Sequence, residues 1–288
     1  MPDNNEINAL IHLLDDDDSE VFKHVSDKLL SLGAGIIPDL EEAWHSELNP
    51  LAHTRLENII HQIQVNALDH EWEEWTLEDP PSLIEGAYLI AKFHYPDLQL
   101  DDILKKMMKL KQSIWLELNY NQTPLEQIQI YNQIFYGYHG FRGSQTSADY
   151  QDFCINNVLE TRRGNSIIIA IIYQVLAIEL NLPVYGVTLQ RHFVLAFCKR
   201  NIIDFSAETN LEREVMFYIN PINKGSIFSR NEIKDYLEKM HAESDPTQFT
   251  PASNVAIIKE LLRYLIEIYE NQNREDRVED LRKLLGYI

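Results

Sequence analysis

Apolar positions near the start of the chain recur every three or four residues. "EINALIHLL" is apolar at Ile7, Leu10, Ile11 and Leu14, and "VFKHVSDKLLSL" at Val21, Val25, Leu29 and Leu32. That is the period of an amphipathic helix. Gly33 and Gly35 stop the second stretch and Pro38 opens another, so residues 5–67 are expected to form two antiparallel helix pairs. The acidic run from Asp15 to Ser19 lacks the glycine and terminal glutamate of a calcium loop. It reads as a turn, with Asp17 as N-cap and Glu20 near the positive end of the next helix dipole.

The stretch "LDHEWEEWTLEDPP" reads as a connection, after which helical patterns resume. Ser82 with Glu85, and Thr123 with Pro124 and Glu126, have the spacing of capping boxes, and a helix is expected over about 97–119. Then comes "ETRRGNSIIIAIIYQVLAIELNLP", a helix over 166–181 too apolar to face water. From Leu182 the period shortens. "VYGVTLQ", "HFVLAFCKR", "NIIDFSA" and "VMFYIN" are β-branched or aromatic and predict a small antiparallel sheet. The tail from Ser253 returns to two amphipathic helices around an Asn-rich turn.

Composition narrows the class. A chain of 288 residues suggests two packing units, and 45% hydrophobic residues with only 10 glycines suit a helix-rich globular protein. The longest apolar run, Ile167 to Ile172, is far short of the ~20 residues that span a bilayer. With no basic, apolar leader at the start, the chain reads as soluble and unexported. A net charge of -20 argues against nucleic acid or an anionic membrane as partner. Two cysteines, Cys154 and Cys198, make neither a disulfide framework nor a metal-ligand spacing. The expectation is a reducing, cytoplasmic setting with no metal and no cofactor.

Candidate chemistry gathers where the apolar helix meets the strands. A polar residue at a helix start beside a histidine on a following strand is how a nucleophile is set against its base, and the candidates are Ser166, His192 and Asn220. Ser166 could equally be a small polar cap of the buried helix. Arg162, Arg163 and Arg191 come from the two segments that meet there. They could form a positive rim that binds a carboxylate or phosphate, or simply pair with Glu160 or Glu179. Cys198 is six residues beyond His192, roughly 20 Å along a strand at ~3.3 Å per residue, and Cys154 precedes the site; both read as packing residues. The aromatics from Phe135 to Gly143 read as gap fillers, with His139 a weak site candidate.

"NNVLETRRG", "LAIELNLPVYGV", "HFVLAF" and "YINPINKGSIFSRNEI", with the upstream "GFRG", resemble motifs of the SirB-type branch of the transglutaminase-like superfamily. The resemblance covers roughly residues 75–285. It implies a papain-like core in which Gly-x-Cys opens the central helix, so that Ser166 stands at the nucleophile position. His192 keeps the base, and Asn220 stands where an orienting aspartate would be. The first helices resemble HEAT-type repeats, and the last two resemble a tetratricopeptide-type hairpin.

The resulting expectation is a mostly helical α+β protein: HEAT-like hairpins over 1–70, a transglutaminase-like core over 75–245 and a terminal hairpin over 250–288. A serine hydroxyl is far less acidic than a thiol, and an amide orients the base without negative charge. The resemblance therefore implies a non-enzymatic binding or scaffold protein with protein or peptide partners. The alternative is a serine-dependent hydrolase or acyltransferase acting on an amide or ester, with His192 as base and Asn220 orienting it.

Overall fold

The computed structural model describes residues 4–16, 18–46, 49–144, 149–189, 192–202, 205, 211–239 and 249–288. The protein is α+β and mostly helical. Its contacts divide it into two units, Met1–Glu74 and Trp75–Ile288.

Four helices make the first unit: α1 (Asn4–His12), α2 (Ser19–Leu32), α3 (Ile37–Ser46) and α4 (Pro50–Thr76). Their apolar stripes meet in a core that includes Ile7, Leu14, Val25, Leu29, Leu40, Leu56 and Ile59. The acidic turn is capped one residue later than the spacing suggests. Asp17 lies outside the described residues; α2 begins at Ser19, and Asp18 is its N-cap, accepting from the Glu20 N–H at 2.8 Å. Arg55 then ties the turn down, its Nη1 donating to the carbonyls of Leu14 and Asp16 at 2.7 Å each. The "LDHEWEEW" stretch is no connection, because α4 continues through it. Trp72 and Trp75 lie three residues apart, on one helical side, and both are buried.

The second unit begins with α5 (Leu83–Lys92), α6 (Leu100–Trp115) and α7 (Pro124–Asn132), which runs into a π-helical turn over Gln133–Tyr138. Thr123 and Glu126 form a reciprocal capping box at α7, and the Ser82 side chain caps α5. Next come β1 (Arg142–Gly143), α8 (Ile155–Thr161), β2 (Arg163–Gly164) and the apolar helix α9 (Ser166–Glu179). The larger sheet follows, with β3 (Val184–Leu189), β4 (His192–Cys198), the short α10 (Leu211–Glu214), β5 (Val215–Asn220) and β6 (Ser226–Phe228). It is antiparallel in the order β3-β4-β5-β6. Helices α11 (Arg230–Lys239), α12 (Asn254–Asn271) and α13 (Glu275–Gly286) complete the chain.

One strand in the sequence reading is replaced by another. In "NIIDFSA" the described residues Asn201, Ile202 and Phe205 are not in a strand, and the others lie outside the described residues. Ile202 donates its N–H to the Tyr185 hydroxyl at 2.8 Å and packs beside Cys198, so its apolar side chain serves the sheet's margin without extending it. The fourth strand is β6, too short to show an alternation. Nor does the sequence mark the parallel pairing of β1 with β2, which is only two residues long.

Helix α9 packs against β3, β4, α5 and α6 and is buried from Ile167 through Gln174. Gln174 is buried because the sheet requires its amide: Oε1 accepts from the Gly186 N–H on edge strand β3 at 2.8 Å. The Ala252 N–H meets the Gly186 carbonyl at 2.8 Å, so both backbone groups of that residue have partners.

Candidate functional site

Helix α8 stops because Arg162 adopts a left-handed conformation, φ 59°. Two residues later Gly164 passes so close to its neighbours that a Cβ would lie 2.6 Å from Val158 and 2.9 Å from Ile168. Asn165 then caps α9: Oδ1 accepts from the Ile167 N–H at 3.1 Å, and its own N–H donates to the Asp152 carbonyl at 2.8 Å. Ser166 is thus the first helical residue rather than the cap. It is half-buried, and its hydroxyl donates to Asn165 Oδ1 at 3.2 Å.

Asn220 ends β5 and holds the turn that follows. Its Oδ1 accepts from the backbone N–H groups of Ile222 and Asn223, both at 3.1 Å. The turn closes through Gly225, φ +69°, where a Cβ would collide with the Asn132 side chain. Asn132 Nδ2 donates to the Gly225 carbonyl at 2.8 Å, and its Oδ1 accepts from the Tyr173 hydroxyl at 2.9 Å. Tyr136 adds a hydrogen bond to the Pro221 carbonyl at 2.9 Å. Tyr173 lies on α9, so a chain of partly buried hydrogen bonds fastens the Asn220 turn to the helix that carries Ser166.

Ser166 and Asn220 both line one cavity of about 250 Å³, walled by Leu189, Phe193, Val194, Ile222, Phe228 and Ile233, with Glu232 at its margin. His192 opens β4 in register with Leu189, two residues before Val194. Its assignment as base concerns a side chain outside what the structure describes. Glu232 was not found from sequence, although "SRNE" carries the capping-box spacing that would have marked it. Its Oε2 accepts from Ser229 N–H at 2.6 Å and from Ser229 Oγ at 2.8 Å, and these bonds hold the carboxyl below its usual pKa. The cavity is therefore an apolar slot with a hydroxyl, an amide and a carboxylate at its edge.

Residues 101–263, from α6 into α12, match the family model of the transglutaminase-like superfamily. The chain belongs to this superfamily. A UPF0162 protein of Xylella fastidiosa strain 9a5c is 26% identical over 205 residues, covering 68% of this chain and 67% of the relative. One from Vibrio cholerae serotype O1 is 24% identical over 160 residues, 55% of this chain and 54% of the relative. No solved structure matches the chain.

The cavity of this transglutaminase-like protein has neither Arg162 nor Arg163 in its lining. Arg162 lies 4.9 Å above the Phe141 ring, where burial lowers its pKa. Arg163 is exposed and donates from Nη2 to Ser144 Oγ at 3.2 Å. Arg191 lies outside the described residues. The cysteines are buried and also absent from the lining. Burial pushes the Cys154 thiol well up; burial, helped by Glu214, pushes Cys198 up to about 12. His139 Nε2 lies 2.5 Å from Ser113 Oγ, and burial and then Arg162 lower its pKa. Among the described residues no cluster of three or more His, Cys, Asp or Glu side chains could hold a metal ion, and no helix is long and apolar enough to cross a membrane.

Proposed function

We propose that this chain is a non-enzymatic binding or scaffold protein of the SirB-type branch, with a degenerate thiol site at Ser166, His192 and Asn220. Serine at the nucleophile position removes the readily ionised thiol. The observation that carries the reading is at Asn220, where the two backbone N–H groups of its own turn occupy the amide oxygen. An amide oxygen has two lone pairs, so an imidazole N–H would have to displace one of those bonds to be oriented there. The Ser166 proton is directed at Asn165.

Partners are proteins or peptides. A cavity of about 250 Å³ is smaller than the roughly 300–1,000 Å³ of small-molecule sites, and its mainly apolar walls suit one side chain of a partner. In this reading residues 1–70 are HEAT-like and residues 250–288 a tetratricopeptide-like hairpin, flanks of the kind that serve as interaction surfaces. Two buried, unpaired thiols suit a reducing, cytoplasmic setting without a cofactor.

A fluorophosphonate probe tests this. The expected result is no labelling of the unaltered protein. Stoichiometric labelling that disappears in Ser166→Ala and falls sharply in His192→Ala would establish a serine hydrolase or acyltransferase instead.

A further inference from the structure

Two Arg-Gly dipeptides lie side by side: β1 and β2 pair in parallel, with Arg142 opposite Arg163 and Gly143 opposite Gly164. The Arg142 N–H donates to the Arg162 carbonyl at 2.9 Å, and the Ser144 N–H to the Gly164 carbonyl at 2.8 Å. Both glycines turn inward, since a Cβ on Gly143 would lie 2.7 Å from Ile222, and one on Gly164 2.6 Å from Val158. Strand alternation therefore places both arginines on the outer side, and both are exposed. Arg163 reaches across to the Ser144 hydroxyl.

Like charges directly opposite on neighbouring strands are destabilising. The chain has 45 acidic against 25 basic residues, yet among the described residues neither arginine has a carboxylate partner, while nearby Glu160 pairs with Lys106. Two guanidinium groups on strands about 4.8 Å apart can meet one anion, and a hydroxyl stands beside them. Two guanidinium forks together present more donors than the two oxygens of one carboxylate use, and suit the larger charge and the additional oxygens of a phosphate.

We propose that Arg142 and Arg163 bind the phosphate of a small mono-phosphorylated molecule, at a site separate from the Ser166 cavity. The net charge of -20 selects the size of the ligand. A polyanion such as nucleic acid meets repulsion over its whole length, whereas a small anion within a Debye length of the pair meets the local positive field.

The test is a titration of inorganic phosphate against the full chain at constant ionic strength, followed by ³¹P line broadening. Saturable broadening is expected, competed by sulfate and by glycerol phosphate but not by acetate. Arg142→Gln and Arg163→Gln should each weaken binding about tenfold or more, Arg142→Lys less, and the double Gln variant should abolish it. No saturation in the unaltered protein, or the same binding in the double variant, would overturn the proposal. Exposed positions leave folding intact and permit a second readout. Without phosphate, at low salt, Arg142→Gln should raise the unfolding midpoint, with the gain closing as salt is added. A lowered midpoint would mean that the arginines are already partnered and would equally overturn it.

Discussion

Asn165 and Ser166 differ by one position and have different tasks. Asn165 is buried and its side-chain oxygen caps α9, whereas Ser166 merely donates to that oxygen. Asn165→Ala should therefore cost about 0.5–2 kcal/mol of stability in urea denaturation, and Ser166→Ala clearly less. Equal costs would mean that the hydroxyl shares the capping. The spacing of "GNS" before an apolar run marks a helix start, but both residues are good caps in isolation. Only the backbone path, drawn inward by the Asn165 bond to Asp152, selects between them.

At the scale of elements, the apolar run of α9 announces burial, but its one buried amide has no local explanation. Gln174 closes the edge of β3, a strand twelve residues away at Gly186. Gln174→Leu should cost about 1–3 kcal/mol by leaving a buried N–H unsatisfied, and hydrogen exchange at Gly186 should accelerate. Unchanged protection of that amide would show that another acceptor replaces the side chain. The same locality explains where the strand reading failed. "NIIDFSA" has the right residue types, but Ile202 bonds to a tyrosine hydroxyl, while β6 earns its place by pairing with β5.

On the scale of the whole molecule, His94 joins segments remote in sequence. Its Nδ1 lies 3.2 Å from the Tyr269 hydroxyl of α12, and its ring is 4.5 Å from that of Tyr150. Burial, and then the charge of Arg277, lower its pKa to about 3. The unfolded chain takes up this proton near pH 6.5, the folded chain only near 3. Stability is therefore unaffected by this group above pH 6.5 and is lost as pH falls from 6.5 towards 3, by at most about 1.4 kcal/mol per pH unit. Denaturation of the unaltered protein and His94→Gln at pH 7, 5.5 and 4.5 should show the two converging on acidification. A constant difference across that range would mean that His94 protonates in the folded protein.

Sequence alone determined the features that depend on near neighbours: the helical periods, the Thr123–Glu126 capping box, the burial of α9 and the β-branched and aromatic runs of β3, β4 and β5. These signals lie within a few residues because backbone hydrogen bonding and side-chain facing repeat over a turn or a pleat. The candidate residues Ser166 and Asn220 were legible as polar positions beside apolar elements. That they line one cavity with Glu232, that Asn132 fastens the turn after Asn220 at the Gly225 carbonyl, and that Arg142 stands against Arg163 was decided only by tertiary structure. Each is a contact between segments set side by side by topology, and which groups then satisfy or repel one another depends on distances of a few ångströms that no local pattern encodes.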